Sequence, residues 1–289
     1  MESMESLLKV TDLRVHYRSA GAAADHNAVA GITFDIARGE ALGVMGESGC
    51  GKTSIALALL GLLSRDDAEV SGTVMFRSED LLLMNERALR KIRGAAIAMV
   101  YQEPGIALSP VMRVGMQIAE IVRAHRKQNW KQCREDAFAM LARVGLPPTE
   151  RIFAAYPHQL SGGQLQRIVL AQALVCEPAL LIADEPTASL DAQSSAEFVS
   201  LLRELKKTLG ISLLLISHTP EIQASLADRL LVMKDGKTVE IGPFEDLYAK
   251  PAHPYTTALL ARNAAAPGTA DSLEELRRAT REHLVETRR

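Results

Sequence analysis

The sequence predicts an α/β fold in which a parallel sheet is covered by helices on both faces. Three observations carry this expectation. From residue 41 to residue 217, strand-length apolar runs alternate with helix-length segments, the order in which strand, crossover helix and parallel strand follow one another. A glycine-rich loop joins the first of those runs to the first helical segment. The composition is 47% hydrophobic but only 4% aromatic, so the core is built mainly from aliphatic side chains, which suits α/β layers. A length of 289 residues fits two average domains, or one large domain with a small annex, and buries a core without disulfide or metal staples.

Taken in order, 7–15 and 28–36 mix β-branched, aliphatic and polar residues and read as two strands, joined by the loose Ala- and Gly-rich segment 19–27. Residues 41–45 form a short apolar strand that stops at Gly46, and 54–63 is a helix apolar nearly all round. Another strand is expected at 70–76, a charged helical turn or two at 86–93, and a buried strand at 97–101 ending at Gln102. Beyond Pro110 the texture changes. Segments 114–126 and 131–144 place apolar residues at helical spacing with charged opposite faces, so a helical insert from about 103 to 160 is expected. Helices at 164–176 and 192–209 then alternate with apolar strands at 179–183 and 211–217, and Gly210 ends the second helix. Asp235-Gly236, flanked by 230–234 and 237–241, is a tight hairpin signal. The stretch 266–289 is a charged tail of expected helical character, either a solvated surface helix or a docking element.

Composition excludes several classes. The 33 Lys and Arg against 35 Asp and Glu leave a net charge of −2, which argues against an evenly basic nucleic-acid coat and against a highly charged disordered chain. The longest apolar run, 55–63, is about half of the roughly 18 to 20 residues a membrane-spanning helix needs. The start, MESMESLLKV, carries glutamates where a signal peptide carries lysines, so cytosolic residence follows by default. Three widely spaced cysteines, Cys50, Cys133 and Cys176, contain no CxxC pair, which disfavours a disulfide framework or a zinc site and fits a reducing compartment.

Gly46-Glu47-Ser48-Gly49-Cys50-Gly51-Lys52-Thr53 fits G-x-x-x-x-G-K-[ST] and lies between an apolar strand and a helix, the context this motif requires. A glycine turn that merely joins strand to helix would not need the Lys-Thr pair. The glycines let backbone N–H groups converge on phosphate oxygens, the helix start adds its positive dipole end, Lys52 reaches the β- and γ-phosphates, and Thr53 holds Mg²⁺. Leu180-Leu181-Ile182-Ala183-Asp184-Glu185 is an apolar strand ending in two acids. Alone it is weak, since acids at a strand end are often just solvated. With the phosphate loop, Asp184 is a candidate for the Mg²⁺ shell and Glu185 for orienting or deprotonating the attacking water. Cys50, beside Lys52 and a helix start, is expected to favour its thiolate and to be alkylated selectively, with MgATP protecting it; the alternative is an inert thiol beneath the loop.

Leu160-Ser161-Gly162-Gly163-Gln164, followed by Leu165-Gln166-Arg167 and a helix, resembles the signature of the ATP-binding cassette (ABC) ATPases. The resemblance runs from about residue 7 to residue 260, with Gln102, Ser189-Leu190-Asp191 and His218 in the expected order. It implies a P-loop NTPase core of ABC type over 1–265, with an N-terminal antiparallel β subdomain and the helical subdomain at about 103–160. It also implies roles: Tyr17 stacks on adenine, Gln102 touches Mg²⁺ and the water and links the site to a membrane partner, and His218 contacts the γ-phosphate. Ser161, Gly162, Gly163, Gln164 and Asp191 close over the ATP held by a second cassette, so function needs a dimer of the same or a related subunit. An ordinary edge tyrosine and a backbone-bonded histidine are the plain alternatives for Tyr17 and His218.

A narrower resemblance rests on Gln102-Glu103-Pro104-Gly105-Ile106-Ala107-Leu108-Ser109-Pro110 and on Pro251-Ala252-His253-Pro254-Tyr255-Thr256-Thr257-Ala258-Leu259-Leu260. Both look like the oligopeptide, dipeptide and nickel importer ATPases, with Ser109 a mild departure. Many such proteins carry a later cysteine cluster able to hold an iron–sulfur centre, but no cysteine follows Cys176 here, so no cluster is expected. The resemblance implies an ATPase subunit, with ATP and Mg²⁺, peripheral on the cytoplasmic face of the cell membrane. Its partners would be two permease subunits and, indirectly, a periplasmic or extracellular solute-binding protein, with no nucleic acid. Two other readings stay open: an accessory cassette ATPase of a soluble complex, such as phosphonate-degrading machinery, and a mechanical switch outside transport.

Overall fold

The computed structural model describes residues 6–18 and 26–264; the tail expected to be helical, 266–289, lies outside them. In chain order the elements are β1 (Ser6–Tyr17), β2 (His26–Ala37), β3 (Ala41–Gly46), α1 (Lys52–Leu59), β4 (Ala68–Phe76), β5 (Glu79–Asp80), α2 (Glu86–Ile92), β6 (Ile97–Val100), α3 (Pro104–Ala107), α4 (Val114–His125) and α5 (Trp130–Arg143). There follow α6 (Glu150–Ala154), α7 (Gly162–Leu174), β7 (Leu180–Asp184), α8 (Ala192–Leu209), β8 (Ser212–Ile216), α9 (Pro220–Leu226), β9 (Arg229–Lys234), β10 (Lys237–Pro243), α10 (Phe244–Ala249) and α11 (Pro254–Ala264). The chain forms two compact units, Lys91–Ile211 and the residues on either side of it.

In the flanking unit, β1 pairs antiparallel with both β2 and β4, and β5 extends the sheet. Its second group of strands is parallel where the chain crosses over: β3 lies parallel to β8 and to β9, and β10 returns antiparallel on β9. All six residues of β3 and all five of β8 are buried, as strands apolar on both faces must be. The β9–β10 turn is the predicted hairpin, and both Asp235 (φ 48°) and Gly236 (φ 74°) take the left-handed conformation that matches the strand twist in a two-residue turn. Helix α1 stops at Leu59, short of the predicted 63, where Gly61 (φ 59°) leads the chain out and Leu62 N–H returns to Leu57 O at 2.9 Å. Met45, Leu230, Val232, Phe244, Leu259 and Leu260 share one buried cluster, which seats α10 and α11 against the end of β3.

In the Lys91–Ile211 unit, β6 and β7 pair in parallel, and β7 is buried at every residue. Helix α4 buries Val114, Ile118, Ala119 and Val122, the stripe that its period predicted. Asn129 and Gln132 form a reciprocal capping box at the start of α5. Phe138 and Phe153 stack at 4.6 Å between centroids. The short helices α3, α6, α9 and α10 were not expected from the sequence: at four to seven residues each, they are too brief to show a helical period.

Candidate nucleotide site

The phosphate loop lies wholly in the flanking unit. It leaves β3 at Gly46 and enters α1 at Lys52, with Gly51 at the helix start in the left-handed region, φ 102°. A Cβ on Gly51 would collide with the Ala28 carbonyl, and one on Gly46 would meet the Met233 carbonyl and Cys50 Sγ, so both positions admit only glycine. No side chain caps α1, which leaves its first-turn N–H groups directed at the loop, where an anion takes them. Lys52 Nζ donates to Gly46 O and Glu47 O, each at 2.8 Å, holding the ammonium inside the ring of the loop. Ser48, Gly49 and Thr53 are exposed. This cradle fits a polyphosphate: it offers backbone donors, one cation and a free-standing hydroxyl on a strand-to-helix turn.

Cys50 departs from expectation. Its side chain is only 7% exposed and packs beneath the loop, with Sγ 3.8 Å from Lys52 Nζ. Burial pushes the thiol above the ordinary value of 9.0, and the opposing pull of the Lys52 charge is the smaller effect. The expected thiolate is therefore not favoured, because the desolvation that comes with lying under the loop outweighs the neighbouring cation. Cys50 meets the loop through its backbone, with its N–H to Glu47 O at 3.3 Å and its carbonyl accepting from Gly236 N–H at 3.2 Å.

Two other predicted residues lie in the same unit. The Tyr17 hydroxyl is 3.2 Å from Ser54 Oγ on the first turn of α1, which places the end of β1 against the helix that follows the phosphate loop. His218 is exposed and follows β8. Strand register pairs Val44 with Ile216, so Gly46 and His218, each two residues beyond that pair, sit at equivalent positions at the carboxyl ends of adjacent parallel strands, where ligands of such sheets bind.

The Lys91–Ile211 unit repeats that arrangement. Val100 pairs with Ala183, so Gln102 and Glu185 occupy equivalent positions just past two adjacent strands. Asp184 is buried at the last position of β7. Glu185 has a left-handed backbone, φ 46°, unusual for a residue with a side chain and of the kind that gathers at functional sites. The turn it starts is tied down by a residue that sequence reasoning passed over: fully buried Gln166 donates from Nε2 to Pro186 O at 2.6 Å. Gln166 lies on α7, two residues after the glycine signature, and its adjacency to that signature was the only available clue.

The signature itself is a helix start. Ser161 caps α7, accepting from Gln164 N–H at 3.4 Å, while Gln164 Oε1 accepts from Ser161 N–H at 3.0 Å, a reciprocal capping box. Ser161 and Gly162 are exposed. Beside them Asp191 caps α8, accepting from Ser194 N–H at 2.9 Å and Ser194 Oγ at 2.8 Å, and those bonds hold its carboxyl below the usual range. An ideal Cβ at Gly163 would stand 3.7 Å from Ser194 Oγ. Two helix N-termini, those of α7 and α8, therefore lie side by side and present Ser161 and Asp191 outward.

A phosphate loop behind a buried strand, a strand-end carboxylate pair and a glycine-signature helix N-terminus together define a P-loop ATPase of the cassette type. Comparison with known proteins agrees. The ABC transporter family model matches residues 29–188. The dipeptide transport ATP-binding protein DppD of Bacillus subtilis is 42% identical over 89% of this chain and 76% of its own length, and the oligopeptide transport ATP-binding protein OppD of Escherichia coli is 38% identical over 90% and 76%. Among solved structures, a dimeric ATP-binding cassette in a post-hydrolysis state with ADP and Pi gives a TM-score of 0.72 at 25% identity, covering 82% of this chain and 98% of that one. The cbiO1 protein of Clostridium perfringens, part of the transporter complex cbiONQ, gives 0.70 at 29% identity over 85% and 91%. The chain belongs to the ABC transporter family, and it is an ATP-binding, ATP-hydrolysing cassette. Among the described residues no helix is long and apolar enough to cross a membrane.

Proposed function

We propose that this chain is the ATPase subunit of an importer for peptides or nickel, acting as a dimer of cassettes on two membrane permease subunits at the cytoplasmic face of the cell membrane. A solute-binding protein outside that membrane delivers the cargo. The observation that carries this reading is the likeness to the dipeptide and oligopeptide transport ATPases across nine-tenths of the chain, joined to the His253-Pro254-Tyr255-Thr256 segment past the last strand.

In this reading Gly46 to Thr53 bind the phosphates, Lys52 neutralises the β- and γ-oxygens, and Tyr17 stacks on the base. Thr53, Asp184 and Gln102 are the residues that would hold Mg²⁺, which would supply charge neutralisation to the phosphoryl group being transferred. Glu185 orients the attacking water and accepts its proton, while His218 hydrogen-bonds the γ-phosphate. Ser161, Gly162, Gly163, Gln164 and Asp191 serve the nucleotide on the partner cassette, where the N-terminus of α7 turns its positive dipole end toward the γ-phosphate. Glu185→Gln keeps shape and ATP contacts but removes the proton acceptor. A steady-state phosphate assay should lose about 10²- to 10⁴-fold in turnover, with ATP-trapped dimer on size exclusion. Turnover within a few-fold of the parent would refute the role. Purifying the complex intact from membranes and identifying every chain tests the partners: co-purified soluble enzymes in place of permeases would refute the importer.

A further inference from the structure

Tyr255, near the start of α11, reaches the phosphate loop across 208 residues of sequence. Its hydroxyl accepts a hydrogen bond from Glu47 N–H at 3.3 Å. That N–H belongs to the same peptide group as the Gly46 carbonyl, which receives Lys52 Nζ at 2.8 Å. In a trans peptide the N–H and C=O point in opposite directions. The Gly46–Glu47 peptide is thus gripped at one end by Tyr255 and at the other by the loop lysine, and a bond at one end polarises the group toward the other.

The tyrosine is itself firmly seated. Lys234 Nζ lies 5.0 Å from its ring centroid, its own N–H donates to His253 Nδ1 at 3.0 Å, and the ring packs on the cluster that contains Met45, Leu259 and Leu260. The preceding turn is pinned by Glu240, whose carboxylate accepts from Ala252 N–H at 2.9 Å and His253 N–H at 3.2 Å. Lys234 and Glu240 stand on the two arms of the β9–β10 hairpin, and the turn of that hairpin donates to the loop through Gly236 N–H and Cys50 O. One hairpin therefore holds both the loop and the segment that carries Tyr255.

We propose that Tyr255 is a positioning residue for ATP binding: its hydroxyl fixes the Gly46–Glu47 peptide so that the carbonyl holds Lys52 in place, pre-organising the loop before nucleotide arrives. The proposal rests on the reading of that loop as the phosphate cradle. Pre-organisation appears in affinity, since an ordered loop loses less freedom on binding.

The test uses the full-length chain with Tyr255→Phe, which retains the ring, its packing and its place over Lys234 but loses the acceptor. One net hydrogen bond corresponds to roughly a 2- to 10-fold change. The Kd and KM for MgATP should rise together by that factor, kcat should stay within about two-fold, and the Glu47 amide should exchange hydrogen faster in the nucleotide-free protein. Glu47→Pro removes the donor itself, so adding Tyr255→Phe in that background should weaken binding no further. Parental affinity and parental Glu47 exchange in Tyr255→Phe, or a further loss in the double variant, would overturn the proposal. Lys52→Ala separates the failures. Lost affinity there with parental affinity in Tyr255→Phe overturns the positioning role alone, whereas retained affinity in Lys52→Ala overturns the phosphate-loop reading and the proposal with it.

Discussion

Alkylation of Cys50 tests the energetics of the loop directly. An ordinary cysteine thiol with a pKa of 9.0 is about 1% thiolate at pH 7, because each unit of separation is a factor of ten. Burial beneath the loop raises the Cys50 value above that, and Lys52 at 3.8 Å only partly offsets it, so fewer than about one thiol in a hundred is reactive at neutral pH. The 7% exposure adds a steric barrier. A maleimide pulse at pH 7, quenched and mapped by mass spectrometry, should label Cys50 at least about ten-fold more slowly than the same cysteine in denaturant. Cys176 is half-buried and Cys133 fully buried, so the expected order is Cys176, Cys50, Cys133. Between pH 7 and 8 the Cys50 rate should rise on the order of tenfold, since only the thiolate attacks. Labelling as fast as in denaturant, or a rate independent of pH over that range, would mean that a thiolate already stands at the site and that desolvation is not the larger effect.

Gly51→Ala places a Cβ on a backbone at φ 102° and against the Ala28 carbonyl, which should cost about 1–3 kcal/mol in chemical denaturation and lose nucleotide binding; parental stability would refute the close approach. Ser161→Asp keeps a good N-cap for α7 but sets a negative charge where a partner's phosphate is proposed to lie. The melting temperature should therefore hold while hydrolysis is lost, and undiminished turnover would place the signature outside the reaction. Gln166→Leu removes the buried donor to Pro186 O at about 1 kcal/mol, and the released turn should lower kcat well beyond what that loss of stability explains, with KM for ATP unchanged.

The strands that place the chemistry were legible because each is a run of residues apolar on both faces: β3, β7 and β8 were readable from composition alone, and Gly46, Asp184 and His218 mark their ends. The loop was legible because phosphate binding demands particular residue types at fixed spacing, glycines where a Cβ collides and a lysine at the helix start. Cys50 was misread. Its sequence neighbours, Lys52 and a helix start, both favour a thiolate, while the opposing influence is the burial of its sulfur beneath the loop, against Gly46, with its carbonyl held by Gly236 nearly two hundred residues on.

What the sequence by itself determined was the inventory: a phosphate loop, a strand-end carboxylate pair, a glycine signature opening a helix and the family to which they belong. Each of these is encoded within a few consecutive residues, where covalent geometry and helix or strand period fix the outcome. Only the tertiary structure decided the registers that set Gly46 level with His218 and Gln102 level with Glu185, the hold of Gln166 on Pro186, and the reach of Tyr255 to Glu47. Those depend on which surfaces meet when apolar faces are buried, and a hydrogen bond spanning 208 residues leaves no periodic trace in the chain because its two ends are brought together by packing that neither end specifies.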